Sequence, residues 1–332
     1  MTFAKNQNFE QVYLHSSQFP DRVYQDYLEG FKQQKIPHKF HYDSVKQSQK
    51  WLKIHQVFSP SRNNEDCVVS YEQCFEKTAT ILNHKSVVEL IGLGSGGGTK
   101  DTLLLSSLVT TNKELIYYPI DVSLSLAVIS AQKARNNYPQ VLVKPVVCDL
   151  LYADNLIKQL SSENNSQKII TFFGMIPNFT PEEILPILNN FLNQDDILLL
   201  SANLAPGDNY LAGIEKILPQ YDNDLTKDWL MTILTDVGIL ESNGKINFTI
   251  ENDQKISDLK RINAHFLLNK DVTLQLDEEI IKWQKNDQIQ LFFSYRYTTE
   301  KVKIILQEYN INVVEYWEAP NQEEAVYICQ KL

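Results

Sequence analysis

Between Glu89 and Asp101 the chain reads ELIGLGSGGGTKD, a stretch that holds five of its 11 glycines. A turn this bare lets backbone N–H groups approach a ligand closely, and a helix start behind it favours negative charge. Two carboxylates close later strand-like runs: Asp121 ends YYPID and Asp149 ends VVCD. Such groups accept hydrogen bonds from ribose hydroxyls or from the amino group of an adenine. The chemistry implied is recognition of a nucleoside-containing cofactor. A phosphate-binding P-loop is excluded, because Thr99 separates Gly98 from Lys100 where Gly-Lys-Ser/Thr is required.

Two cofactor patterns compete for the loop. Gly92, Gly94 and Gly97 satisfy the G-x-G-x-x-G of a dinucleotide site, and Gly92, Gly94 and Gly96 satisfy the G-x-G-x-G of S-adenosylmethionine (SAM) enzymes. Asp121 suits either. Asp149 as an acceptor for adenine, with Leu150 packed on the ring, favours SAM; the plainer alternative is a cap for the next helix. The following strand end, FFGMIPNFTPEE, lacks the Asn/Asp-Pro-Pro-aromatic run of base-modifying N-methyltransferases. Asn178 there is either a turn residue or lies where a methyl acceptor would sit.

The elements that must hold these groups alternate. Strand-like runs at 86–93, 114–121, 141–149, 168–174 and 196–203 are separated by helical patterns at 99–110, 123–136, 153–161 and 180–192. That rhythm predicts right-handed crossovers and a parallel, doubly wound sheet. After Asn203 it changes to two helices and three antiparallel-type strands, then from Thr298 to a helix and hairpin. The chain reads as an α/β body interrupted by an α+β unit, with the N-terminal 60 residues packed on that unit.

Composition narrows the function. The 332 residues carry a formal net charge of −10, which argues against a nucleic-acid surface or an anionic membrane as partner. The N-terminal residues show no apolar leader core, so a cytoplasmic location is expected. The four cysteines lack metal or redox spacing and read as buried or incidental thiols, with no metal site.

Several stretches resemble the histidine-specific SAM-dependent methyltransferases of ergothioneine synthesis. VELIGLGSGGGTK is similar to their V-E-L-G-S-G-x-x-x-K loop with two residues more, YYPIDVS to their Pro-x-Asp-Val, and VVCDL to their Gly-Asp-Phe. FFGMIPNFTPEE resembles G-S-x-I-G-N-x-T-P, IPHKFHYDS resembles P-P-K-x-x-Y-D, FSPSR resembles Y-x-P-T-R, and QYDND resembles Y-D-D. These matches span about residues 36–300. The resemblance implies a Rossmann-like class I methyltransferase body (63–203 with 298–332) and a substrate-binding lobe (1–62 with 204–297). It implies that Gly94, Lys100, Asp121, Asp149 and Leu150 line the SAM site with Tyr42 nearby. Asn178 and Tyr221 would hold the amino and carboxylate groups of a free amino acid.

The sequence departs from the family at the substrate side chain. Where Glu-x-Ser is expected before the last helix, the chain has Phe292 and Ser294. The tyrosine pair before Pro-Thr-Arg becomes Phe58-Ser59, and the glycine before the motif asparagine becomes Pro177. A phenylalanine in place of the glutamate favours a less polar, aromatic acceptor; a core position for Phe292 is the alternative.

Methyl transfer to nitrogen needs a neutral amine placed about 3 Å from the methyl carbon. Asn178 and Tyr221 are the candidates to orient it, and His38, His41, His55 and His265 read as surface or structural residues. The expected activity is N-methylation of the α-amino group of a free amino acid or related small molecule, by a protein compatible with a monomer. The alternatives are a nicotinamide-dependent oxidoreductase and a non-catalytic ligand-binding relative.

Overall fold

The computed structural model describes residues 9–59, 64–153, 155–160 and 166–332. The chain enters through a short strand β1 (Tyr13–Leu14) and helices α1 (Pro20–Lys32), α2 (Val45–Phe58) and α3 (Glu65–Thr80). Next come β2 (Val87–Leu93), α4 (Thr99–Leu108), β3 (Glu114–Asp121), α5 (Leu124–Asn137), β4 (Leu142–Val143) and β5 (Val146–Val147). These lead to α6 (Leu156–Leu160), β6 (Ser166–Phe173), α7 (Pro181–Phe191) and β7 (Ile197–Asn203). Then follow α8 (Tyr210–Ile217), α9 (Asp224–Asp236), β8 (Gly244–Asn252), β9 (Lys260–Leu268), β10 (Val272–Leu276), β11 (Glu279–Trp283) and β12 (Gln288–Arg296). The chain closes with α10 (Thr299–Glu308), β13 (Ile311–Glu318) and β14 (Glu324–Lys331).

Among the described residues the main sheet has nine strands in the order β1-β5-β3-β2-β6-β7-β14-β13, with β4 beside β3. From β1 to β7 every pairing is parallel, and only β14 is reversed, antiparallel to both of its neighbours β7 and β13. Every residue of β2 is buried, because helices cover both faces of a central parallel strand and an unbroken apolar run is then required. Its one acidic residue, Glu89, accepts the Ser166 hydroxyl on Oε2 at 3.0 Å in the interior. The predicted strand 141–149 divides in two at Lys144-Pro145, where the proline has no N–H for the ladder.

The second unit is a three-stranded antiparallel sheet, β12-β9-β8, with the β10–β11 hairpin beside it. Its central strand β9 is absent from the sequence reading. The alternation of Ile262, Ala264, Phe266 and Leu268, all buried, was the available signal. Ala264, Phe266 and Leu268 share an apolar core with Phe31, Phe40, Trp229 and Phe292, Ile262 packs with Ala205, Ile214 and Ile217, and Phe293 and Tyr295 belong to the core of the main sheet. One piece of the assigned lobe lies elsewhere: Tyr13–Leu14 pairs with β5 at the edge of the main sheet, where the Tyr13 N–H satisfies the Pro145 carbonyl at 2.9 Å. The four cysteines are buried free thiols. Among the described residues no helix is long and apolar enough to cross a membrane.

Candidate functional site

A cleft of about 660 Å³ opens over the carboxyl ends of β2, β3 and β6. Open α/β sheets bind ligands there, where strand order reverses and the crossovers diverge. The glycine loop forms its floor. Gly94 and Gly96 adopt left-handed φ values of 64° and 53°. A Cβ on Gly94 would lie 2.7 Å from the Met175 side chain, and one on Gly96 would lie 2.9 Å from the Trp51 ring. Gly92 has a different neighbour: it is buried inside β2, and its missing side chain makes room for the Asp101 carboxylate, which a Cβ would approach to 2.3 Å.

Asp121 is buried at the end of β3 and gripped by two backbone donors, the Gly96 N–H on Oδ2 and the Ser123 N–H on Oδ1, each at 2.9 Å. Burial pushes its carboxyl up to about 6, opposed by those backbone hydrogen bonds. Each oxygen keeps a second lone pair, so Asp121 is an acceptor held in place before any ligand arrives. Asp149 lines the cleft as well. One oxygen accepts the Leu151 N–H at 3.1 Å and the other takes the Lys39 ammonium at 2.9 Å. The capping role and the position on the cleft wall therefore coexist. Lys39, which also reaches Asp26 at 2.5 Å, ties the segment before α2 to the third strand end. Leu150 and Tyr42 complete this side; Tyr42 sits edge-on to Trp51 and Trp229 at 5.7 and 5.4 Å.

Lys100 lies at the glycine end of the cleft and is already paired. Its ammonium contacts Glu324 Oε1 at 2.9 Å and donates to the Tyr71 hydroxyl at 2.6 Å. Burial alone would raise the Glu324 carboxyl, but the Lys100 charge and the Tyr71 hydrogen bond hold it below its ordinary value.

The opposite wall brings together Asn178, Tyr221, Phe58, Ser59, Phe292 and Ser294. Residues 60–62 of the stretch FSPSR lie outside the described residues. Asn178 ends a short turn after β6, and its carboxamide has no hydrogen-bond partner among the described residues. A bulge in β12 between Gln290 and Phe292 sets which side chains face the cleft. After it, Phe292, Ser294 and Arg296 share the face toward Tyr221, whose hydroxyl lies 3.0 Å from Ser294 Oγ. Phe292 stacks on His38 with centroids 4.6 Å apart and planes at 19°, and Trp229 meets it edge-on at 5.7 Å.

Two of the histidines are held by backbone hydrogen bonds. His38 lines the cleft, and its Nε2 accepts the Phe293 N–H at 3.1 Å. Desolvation, with His41 nearby, keeps the ring neutral with its proton on Nδ1, so the lone pair is already engaged and His38 is not a free base. His41 is buried, and its Nε2–H donates to the Leu291 carbonyl at 2.6 Å.

Residues 23–331 match the family described as histidine-specific methyltransferase, SAM-dependent. The chain belongs to this family. Its cofactor is SAM, and the nicotinamide reading of the glycine loop falls away. In the cleft the loop at Gly94 and Gly96 lies beside the pre-oriented Asp121 carboxylate. No curated protein matches the chain significantly. Solved structures with a similar arrangement include the CcbJ methyltransferase from Streptomyces caelestis, at 10% identity and TM-score 0.39, over 79% of this chain and 89% of that one. Another is 1,6-didemethyltoxoflavin-N1-methyltransferase from Burkholderia thailandensis, at 11% identity and TM-score 0.38, over 89% and 90% of the two chains.

The titration of Asp121 gives a pH dependence. Its raised value means that a proton adds as pH falls through about 6, removing one acceptor position. SAM affinity is expected to be full near pH 8 and about tenfold weaker near pH 5. Calorimetry across that range checks it; a flat profile would separate Asp121 from the cofactor.

Proposed function

We propose that the protein N-methylates the α-amino group of a free amino acid or closely related small molecule with an apolar or aromatic side chain. The observation that carries this reading is one cleft wall holding Asn178, whose carboxamide has no partner among the described residues, beside the aromatic enclosure of Phe292, His38 and Trp229. SAM supplies an electrophilic methyl group. Asn178 presents a carbonyl oxygen and two N–H donors, which suit an amine and a neighbouring carboxylate. Asn178 and Tyr221 orient the amine in its neutral form, and Phe292 with its ring neighbours covers the side chain and excludes water. Residues 1–62 and 204–297 serve as the acceptor lobe on this reading, apart from the strand at Tyr13–Leu14.

The test is a panel of free amino acids with SAM, read by mass for added methyl groups. Aromatic amino acids are expected to react and histidine to react poorly. Asn178→Ala should cut methyl transfer while SAM affinity stays near wild type. Transfer at the wild-type rate in that variant would place the acceptor elsewhere, and no transfer to any member would favour a non-catalytic relative.

Phe292→Glu tests the side-chain pocket. A buried imidazole N–H left unpaired costs roughly 1–3 kcal/mol, or about 5- to 150-fold. The variant should move preference toward histidine by a factor in that range, with Ser294 already in place. Folding must be checked first, since a buried carboxylate without a partner destabilises the chain. Efficient histidine methylation by the wild type, unchanged in a folded variant, would remove Phe292 from side-chain reading.

A further inference from the structure

Three lysines of the interior and the cleft wall have carboxylate partners: Lys39 has Asp26 and Asp149, Lys100 has Glu324, and Lys168 has Asp196 at 3.1 Å. Arg296 does not. Its guanidinium lines the cleft with only 4% of the residue exposed, yet it forms no ion pair with any described carboxylate. Nη2 donates to the Tyr221 hydroxyl at 2.6 Å, Nη1 reaches the Leu204 carbonyl at 3.4 Å, and Nε has no partner among the described residues. A guanidinium keeps its charge at physiological pH, and a buried charge without a counter-ion is costly unless something completes the pair.

Its surroundings indicate what that is. Arg296 ends the strip Phe292, Ser294, Arg296 on one face of β12, where alternate residues stand about 7 Å apart. The strip runs from an aromatic ring through a hydroxyl to a cation. The Tyr221 hydroxyl accepts from Arg296 and lies 3.0 Å from Ser294 Oγ, so its own proton is available to Ser294 or to a ligand. Charge on the guanidinium makes that hydroxyl a stronger donor. The turn carrying Asn178 packs against the same strand.

We propose that Arg296 is the anion-recognition residue of the acceptor site. The acceptor then carries a carboxylate that completes the ion pair the chain leaves open, with Tyr221 donating beside it. This rests on the methyltransferase reading of the cleft. It goes further in excluding simple amines of the same shape and in assigning the charge to a residue outside the family motifs. The carboxylate is either the α-carboxylate or an acidic side chain, and the probes separate the two.

Wild type, Arg296→Met and Arg296→Lys are assayed with phenylalanine against phenethylamine, tyrosine against tyramine, and glutamate and aspartate. Wild type should prefer the aromatic acids over their amines by about a hundredfold in kcat/KM, the equivalent of a buried charge pair. Arg296→Met should reduce that ratio to near one, mostly through KM, and Arg296→Lys should restore part of it. Preference for glutamate or aspartate over the aromatic acids would assign the pair to a side-chain carboxylate instead of the α-carboxylate. Equal use of acid and amine by wild type, or full discrimination in Arg296→Met, would overturn the proposal.

A second measurement is independent of turnover. With S-adenosylhomocysteine present, phenylacetate should raise the unfolding temperature of the wild type and the neutral phenylacetamide should not, while Arg296→Met responds to neither. Stabilisation by acid and amide alike would overturn the anion site, and the wild-type comparison alone decides this if the variant does not fold. Methyl transfer to amines as well as acids would leave the methyltransferase reading standing without the inference. Carboxylate-specific stabilisation without any methyl transfer would do the reverse.

Discussion

Lys100→Met lowers the stability of the ligand-free protein by about 3–5 kcal/mol at neutral pH, the expected result of leaving a buried carboxylate without its cation. Glu324 is almost wholly buried, and the Tyr71 hydroxyl becomes its remaining strong partner. A loss of this size is a large share of a typical domain's total stability. The pH behaviour identifies the cause. In the wild type the Glu324 carboxyl lies below its ordinary value, so its contribution is present above about pH 4.5 and is lost as pH falls through the folded value. In Lys100→Met that carboxyl should be raised, so the variant gains stability on acidification where the wild type loses it. Urea unfolding at neutral and mildly acidic pH measures both, and Lys100→Met combined with Glu324→Leu should recover most of the loss. Equal stability of wild type and single variant would show that the pair does not support the glycine end of the cleft.

Asp121→Ala weakens SAM binding by roughly 10- to 150-fold, from the 1.5–3 kcal/mol that hydrogen bonds to a charged acceptor contribute. The Gly96 and Ser123 N–H groups that now grip the carboxylate lose their acceptor, so the loop that approaches the cofactor also loosens. Asp121→Asn keeps an acceptor oxygen for one of these donors and turns an N–H toward the other, so it should fall between wild type and alanine. Calorimetry with SAM or S-adenosylhomocysteine reads the affinity, and thermal unfolding confirms a folded protein. Wild-type affinity in folded Asp121→Ala would remove the proposed ribose contact.

These two sites were unequally legible from the amino-acid order. Asp121 follows from local pattern: an apolar strand, a terminal carboxylate and a helix cap at Ser123, all within a few residues. The same locality made the parallel strands, their crossover helices and the glycine loop readable, since period and turn chemistry depend on near neighbours. The partner of Lys100 is 224 residues away and that of Asp149 is 110 residues away, so neither Glu324 nor Lys39 could be chosen before folding. Proline at 145 announced the break between β4 and β5, but the apolar run on either side masked it. At the substrate wall the deciding event is one extra residue. The bulge before Phe292 shifts the two-residue phase of β12, and only that shift puts Phe292, Ser294 and Arg296 together on the cleft face while Phe293 and Tyr295 enter the main core. Composition and spacing thus carried the body and its cofactor, because those depend on local sequence. The acceptor site was set by tertiary packing, because its side chains meet across strand phase and across segments that are remote along the chain.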